Sequence, residues 1–247
     1  MKNNYIFHVH TKRCGHASEE TDEEYILKAL QLGASEIVFT DHAPFPGNPF
    51  TNRMRFEELD EYINSIQFLK KKYLGMIDIY TGLEIEYLPS FISYYKDLKH
   101  NSLIDLLMIG QHHYEVKKDL YSFMLEDKAN EHIGIVDAML QGMDTGLFKV
   151  VAHPDRAFHR DKMWTSELTD LSNAIIDKSV SSKIYLEQNF SSMRNNTFRK
   201  EFWSMVPQNA NIIYGCDAHN TDELVLSQTI AQKNVTYREK NTDAKRR

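Results

Sequence analysis

The chain has 247 residues, 42% hydrophobic and 26% charged, which suits one large globular domain or two small ones and excludes a disordered chain. A formal net charge of −6 argues against non-specific nucleic-acid binding, which relies on clustered Lys and Arg, and no apolar run approaches the roughly 18–20 residues that span a bilayer. The N-terminal residues lack the apolar stretch of a secretory signal and two cysteines make no disulfide scaffold, so the expectation is a cytoplasmic setting with neither membrane nor nucleic acid as partner.

Short apolar runs alternate with longer amphipathic ones. A strand is predicted over Tyr5–His8, ending on His8-Val9-His10, and a small-residue loop then presents His16. Thr21, with Glu24 three residues on, reads as the capping box of a helix over Asp22–Leu32 that stops at Gly33. A strand over Glu36–Thr40 leads into Asp41 and His42, and a helix over Phe56–Tyr73 follows. The strand Ile77–Ile85 carries Glu84, with Glu86 on the same face, and precedes a helix over Ser90–Lys99. Ile104–Ile109 runs into Gly110-Gln111-His112-His113, and a helix over Asn130–Gly142 comes next. Lys149–Ala152 ends on His153 and Asp155, ahead of a helix over Glu167–Ser179. Ile184–Gln188 ends on Asn189, before a helix over Thr197–Met205. Asn211–Tyr214 precedes Asp217 and His219, and a last helix is predicted over Thr221–Lys233. Residues 1–236 read as a single domain and the polar stretch Tyr237–Arg247 as a frayed tail.

Seven strands alternating with seven helices predict a parallel sheet with crossover helices. Nearly every strand places its polar, chemistry-capable residues at its C-terminal end. Barrel strands aim those ends at one mouth, whereas an open sheet gathers ligands at a single switch point. The expected fold is therefore a distorted seven-stranded (β/α) TIM-like barrel.

His8-Val9-His10 and Asp217-Ala218-His219 each space two ligand types so that both side chains leave one strand face. Either pair alone could be unremarkable polar residues. A carboxylate such as Glu84 on an inward strand face is costly unless paired or coordinated, which favours a metal over an ion pair with a Lys or Arg. His42, His112 and His153 follow buried strands in the same way. N and O donors in this number, almost without Cys, suit Zn, Mn or Fe. Cys14 and Cys216 read as small reduced residues packed behind the site. His100 and His132 read as helix-surface residues and His159 as substrate-side.

The motifs HxH, CGHA, TDH, GxE, GQHH, AHPD and GxDxH, in that order from Tyr5 to about Lys233, resemble those of the PHP (polymerase and histidinol phosphatase) superfamily. HTKRCGHASE, TDHAPFP, Arg53-Met54-Arg55 and GLEIEY look most like the stand-alone histidinol-phosphate phosphatases. The resemblance implies three divalent metal ions. His8, His10, Glu84 and Asp217 would hold the first; Glu84 would bridge to a second completed by His112 and His153; His16, His42 and His219 would hold the third. Of the adjacent pair His112 and His113, the first is preferred, because neighbouring strand-like residues point oppositely. The catalytic set is then Glu84, Asp217, His153 and Asp155.

Such a centre would supply a metal-activated water as nucleophile, and the resemblance implies hydrolysis of L-histidinol phosphate in histidine biosynthesis. The phosphate calls for guanidinium donors, ranked Arg160, Arg194, then Arg156, with Lys12 and Arg13 weaker. The leaving alkoxide could take its proton from Asp155, Asp41 or a ligand His, and the substrate amine could meet Glu19, Glu20 or Glu115. The alternatives are the same chemistry on a sugar phosphate or nucleotide, a phosphodiesterase or exonuclease, and a non-catalytic scaffold; the oligomeric state stays open.

Overall fold

The structure, a computed structural model, describes residues 4–233, so the tail expected at Tyr237–Arg247 lies outside the described residues. The chain divides into two compact units, residues 1–81 with 214–247, and residues 82–213.

All seven predicted strands form. They are β1 (Tyr5–Val9), β2 (Glu36–His42), β3 (Asp78–Ile85), β4 (Leu106–Ile109), β7 (Val150–Val151), β8 (Tyr185–Asn189) and β9 (Ile212–Gly215). Their order in one sheet is β1-β2-β3-β4-β7-β8-β9. Register runs parallel from Tyr5↔Glu36 between β1 and β2, from Gly82↔Leu106 between β3 and β4, and from Val150↔Tyr185 between β7 and β8. Within the first unit the chain after β9 returns to β1. The Cys216 N–H bonds the Phe7 carbonyl at 2.9 Å, and the His10 N–H bonds the Ala218 carbonyl at 2.9 Å.

The strands are apolar without strict alternation because both faces are covered. In the first unit β1 and β2 bury Ile6, Phe7, Val9, Ile37, Val38 and Phe39. Helix α1 (Asp22–Gln31) buries Tyr25, Ile26 and Ala29, with Tyr25 edge-on to Phe39 of β2 at 6.3 Å, and α2 (Leu59–Lys72), packed on α1, buries Tyr62, Ile63 and Ile66. The capping box forms as predicted: Thr21 N–H donates to the Glu24 carboxylate at 2.7 Å and Glu24 N–H to Thr21 Oγ1 at 3.3 Å. Gly33 takes the left-handed φ of +79° that ends the helix.

In the second unit β3 continues into α3 (Ile92–His100), and α4 (Glu131–Asp144) and α5 (Ser166–Ser182) pack against one another. Two short helices, α6 (Phe190–Arg194) and α7 (Lys200–Met205), follow β8.

Three elements depart from the sequence reading. A hairpin of β5 (Glu115–Lys117) and β6 (Leu120–Tyr121) turns through Asp119 at φ +62°. Its five strand residues are too few to give a periodic signal. Helix α7 starts at Lys200, three residues later than predicted, and α6 stands apart from it, capped by Asn189. The last predicted helix is broken: Thr221–Glu223 is a 3-10 turn, and helical residues resume only at 227–233.

Candidate metal centre

In the first unit the site begins with an irregularity in β1. The register skips His8, which bulges out at φ +70°, so that Phe7 faces Val38 and Val9 faces Phe39. The bulge still brings the two imidazoles together, with ring centroids 4.9 Å apart and both rings fully buried. Both reach one carboxylate oxygen: Asp217 Oδ1 lies 3.6 Å from His8 Nε2 and 3.3 Å from His10 Nε2. On its other edge His10 presents Nδ1 to Asp41 Oδ1 at 3.7 Å. Asp41 is fixed by the Thr11 hydroxyl and by the His42 N–H at 3.0 Å. Asp41 thus places a carboxylate behind the His10 ring at ion-pair distance, longer than a hydrogen bond.

His16, His42 and His219 present ligand atoms within 4.8 Å of one another. His16 Nδ1 faces the Cys14 carbonyl at 3.1 Å and His219 Nδ1 faces the Asp217 carbonyl at 3.3 Å, so each Nδ1 carries the proton. Both Nε2 lone pairs then converge, 3.0 Å apart. Burial and the neighbouring imidazoles push His219 down to about 3, so the ring is neutral near pH 7 and, with its proton on Nδ1, offers Nε2 as a lone pair. Facing lone pairs at this distance fit a cation between them.

In the second unit Glu84, 1% exposed on β3, meets His153 Nε2 at 2.9 Å and lies 3.9 Å from His112 Nε2. Gly110 makes the room: a Cβ there would lie 2.0 Å from Glu84 Oε1 and 2.3 Å from its Cγ. His112 Nδ1 bonds Glu86 at 3.0 Å, which leaves its Nε2 lone pair on the Glu84 side. His113 stands edge-on to Phe123 and Tyr121 at 5.1 and 6.1 Å, with its Nδ1 3.6 Å from the same Glu86 oxygen. Burial and the Arg156 cation hold His112 below its usual pKa, in the metal-binding neutral form. His153 at φ +30° and Asp217 at φ +54° share the left-handed backbone of His8, a region that non-glycine residues seldom occupy outside turns and functional sites.

Each unit therefore gathers imidazoles around carboxylates, all buried or half-buried except the exposed His16, with N and O donors predominant; the Cys14 thiol also lies within 4.8 Å of ligand atoms of His10 and His219. That donor set fits divalent Zn, Mn or Fe.

The other predicted residues fall differently. Arg160 pairs with Glu131 through Nε at 3.1 Å, and its side chain is 57% exposed. Arg13 is held bidentately by Asp22 at 2.8 and 2.9 Å and also bonds Glu61, so it braces the fold. Arg194 ends α6, exposed. Asp155 is fully buried, and its Oδ2 accepts the Arg199 N–H at 2.8 Å. Burial raises its pKa to about 6. His132 is not on the helix surface: it is 7% exposed, with Nδ1 3.3 Å from Asp161, because the first turn of α4 faces inward. His100 is exposed, and His159 is exposed with Nδ1 on the Arg156 carbonyl. Glu20 binds the Thr221 N–H and Glu115 the Ser90 N–H, so both serve local turns. Cys14 and Cys216 are buried, with thiols pushed up to about 12 chiefly by burial. Asp41 and Glu86, as supports behind His10 and His112, went unrecognised in the sequence; the alternation of Glu84 and Glu86 was the one signal for the second.

The PHP domain family matches residues 7–191. The histidinol-phosphatase of Bacillus subtilis (strain 168) is 41% identical over 91 residues, 34% of this chain and 34% of that protein; the match thus spans about a third of that relative's length. Among solved structures, a candidate histidinol phosphatase from Listeria monocytogenes superposes with a TM-score of 0.73 at 19% identity, over 89% of this chain and 96% of that one. The histidinol phosphate phosphatase of Lactococcus lactis subsp. lactis, solved with Zn, L-histidinol and phosphate, gives 0.63 at 20% identity, over 89% and 87%. The fold expected from the sequence, a seven-stranded (β/α) barrel, is the one these likenesses carry. No helix among the described residues is long and apolar enough to cross a membrane.

Proposed function

Because the chain belongs to the PHP domain family, we propose that it is a metal-dependent phosphomonoesterase that hydrolyses L-histidinol phosphate to L-histidinol and phosphate, a cytoplasmic step of histidine biosynthesis. The observation that carries the reading is the convergence of His16, His42 and His219, whose ligand nitrogens lie within 4.8 Å of one another, as a bound cation requires.

In this reading His8, His10, Glu84 and Asp217 hold one ion, Glu84 with His112 and His153 a second, and His16, His42 and His219 a third. Divalent ions in such a set acidify water and neutralise phosphoryl charge. The chain's own residues do the placing. Glu86 fixes the tautomer of His112 from behind, and Asp41 places its charge behind His10. Asp155 anchors the chain ahead of α7 through the Arg199 N–H, which supports the loop after His153. Arg156, whose charge acts on His112, is the phosphate contact, ahead of Arg160, which Glu131 already engages.

The test is phosphate release from a panel of small phosphomonoesters by metal-analysed protein, before and after chelation. Histidinol phosphate is expected to be the preferred substrate, with activity lost on chelation and restored by Zn or Mn. Metal-replete protein that ignores histidinol phosphate but cleaves sugar phosphates or nucleotides would move the substrate. Full activity after complete metal removal would end the metal-dependent reading.

Two pairs of variants check the assignments. His112→Ala is expected to reduce turnover by orders of magnitude and His113→Ala far less, because only His112 presents a nitrogen to Glu84 among these contacts. The reverse ranking would make His113 the ligand. Arg156→Ala is expected to lower kcat/KM by about 10²–10³-fold with metal content intact, as for a donor that strengthens when charge develops. Arg160→Ala is expected to stay within a few-fold, since an exposed ion pair contributes little. Steady-state kinetics on the four variants decides both rankings.

A further inference from the structure

We propose that Glu187 is the positioning residue for His153: its buried carboxylate fixes the left-handed backbone from which the His153 imidazole reaches Glu84. The inference rests on the reading of His153 as a metal ligand.

The ladder between β7 and β8 ends at Val151↔Leu186. The next N–H, of Ala152, goes to the Ile109 carbonyl on β4 at 2.8 Å. His153 then leaves extended geometry altogether, at φ +30° and ψ +55°. Its N–H turns to Glu187 Oε2, at 3.0 Å, so a side chain from β8 replaces the missing ladder bond. The His153 carbonyl is held too, by the Arg156 N–H at 2.8 Å, which starts the turn that follows. With both backbone groups fixed, the direction of the Cβ is set, and with it the reach of Nε2 to Glu84 at 2.9 Å.

Glu187 is itself held. It is fully buried, where a carboxylate is unfavourable unless well hydrogen-bonded. Asn189 Nδ2 donates to the same Oε2 at 3.2 Å, and Asn189 Oδ1 accepts the Ser192 N–H at 2.8 Å. The start of α6 therefore pins Asn189, which steadies Glu187, which places His153. A strained, non-glycine backbone persists only where its surroundings over-determine it, and this relay supplies the constraint.

The test uses Glu187→Gln and Glu187→Asp in the full chain. Zinc affinity is measured by competition with a chromophoric chelator, the cobalt-substituted protein by its visible absorption spectrum, and folding by thermal melting of the metal-free form. Gln keeps an acceptor oxygen at the same reach and is expected to bind zinc within about threefold of wild type, with an unchanged cobalt spectrum. Asp keeps the charge but withdraws the oxygens by one methylene. It is expected to lose about 10–100-fold in zinc affinity, the usual effect of removing an outer partner of a ligand, with an altered cobalt spectrum. The opposite ranking would assign the effect to charge and overturn the proposal, as would wild-type zinc binding in both variants. If Glu187→Asp fails to fold, weakened zinc binding in Glu187→Gln still overturns it. Wild type inert towards histidinol phosphate, alongside the expected zinc results, would sink the substrate assignment and leave this inference standing.

Discussion

Glu84→Gln is expected to strip two ions from the protein together and to lower kcat/KM for histidinol phosphate by well over the roughly 10–100-fold that loss of an outer partner costs. The side chain is 1% exposed and 2.9 Å from His153 Nε2. Gln preserves its shape but removes the charge and replaces one of two equivalent oxygens with an amide nitrogen, which donates and cannot ligate. A carboxylate that serves two ions fails both at once. Metal per chain, measured by mass spectrometry on protein purified without added metal, decides the point. Loss of one ion only would make Glu84 a terminal ligand and place the bridge elsewhere.

Gly110→Ala is expected to do comparable damage without touching a ligand. The added Cβ would sit 2.0 Å from Glu84 Oε1, 2.3 Å from Cγ and 2.4 Å from Cδ. Rotating the carboxylate alone cannot relieve the overlap, because Cγ also collides; the whole side chain must leave its rotamer and with it His153. A misplacement of about 1 Å in a reacting constellation costs about 10²-fold, so kcat/KM is expected to fall by at least that much, with reduced metal content. Gly134→Ala is the control. There the Cβ would meet the Tyr114 ring at 2.2 Å, which is expected to lower the melting temperature and spare metal binding. Equal metal content in Gly110→Ala and wild type would show that Glu84 has another rotamer that works.

The strands were legible because each is an apolar run followed within a few residues by a His, a carboxylate or, after β8, Asn189, and that punctuation survives any local irregularity. The pairing of His8 with His10 was expected from simple alternation and arises instead through a bulge, which no periodicity announces. Adjacent His112 and His113 both approach Glu86, while only the first also lies near Glu84 and the second stands against Phe123; the choice between them rests with the two variants. The ranking of the arginines turns on contacts the sequence does not display. Arg160 and Arg156 sit in the same loop, and only tertiary contacts tell that the first meets Glu131 while the charge of the second acts on His112. The inward face of His132 was hidden for a related reason: one polar residue at a helix start reads as exposed until Asp161, distant in sequence, comes to meet it. Glu187 gave no signal at all, because a backbone N–H in need of an acceptor leaves no mark on the sequence.

His8, His153 and Asp217 all hold left-handed backbone, and each such position costs a folded chain about 1–3 kcal/mol. Glycine adopts this backbone without that cost. At each of the three positions a glycine variant is accordingly expected to melt higher than the alanine variant when both are compared in chelator, although both lose the ligand; equal melting temperatures would show that the positive φ carries no penalty there.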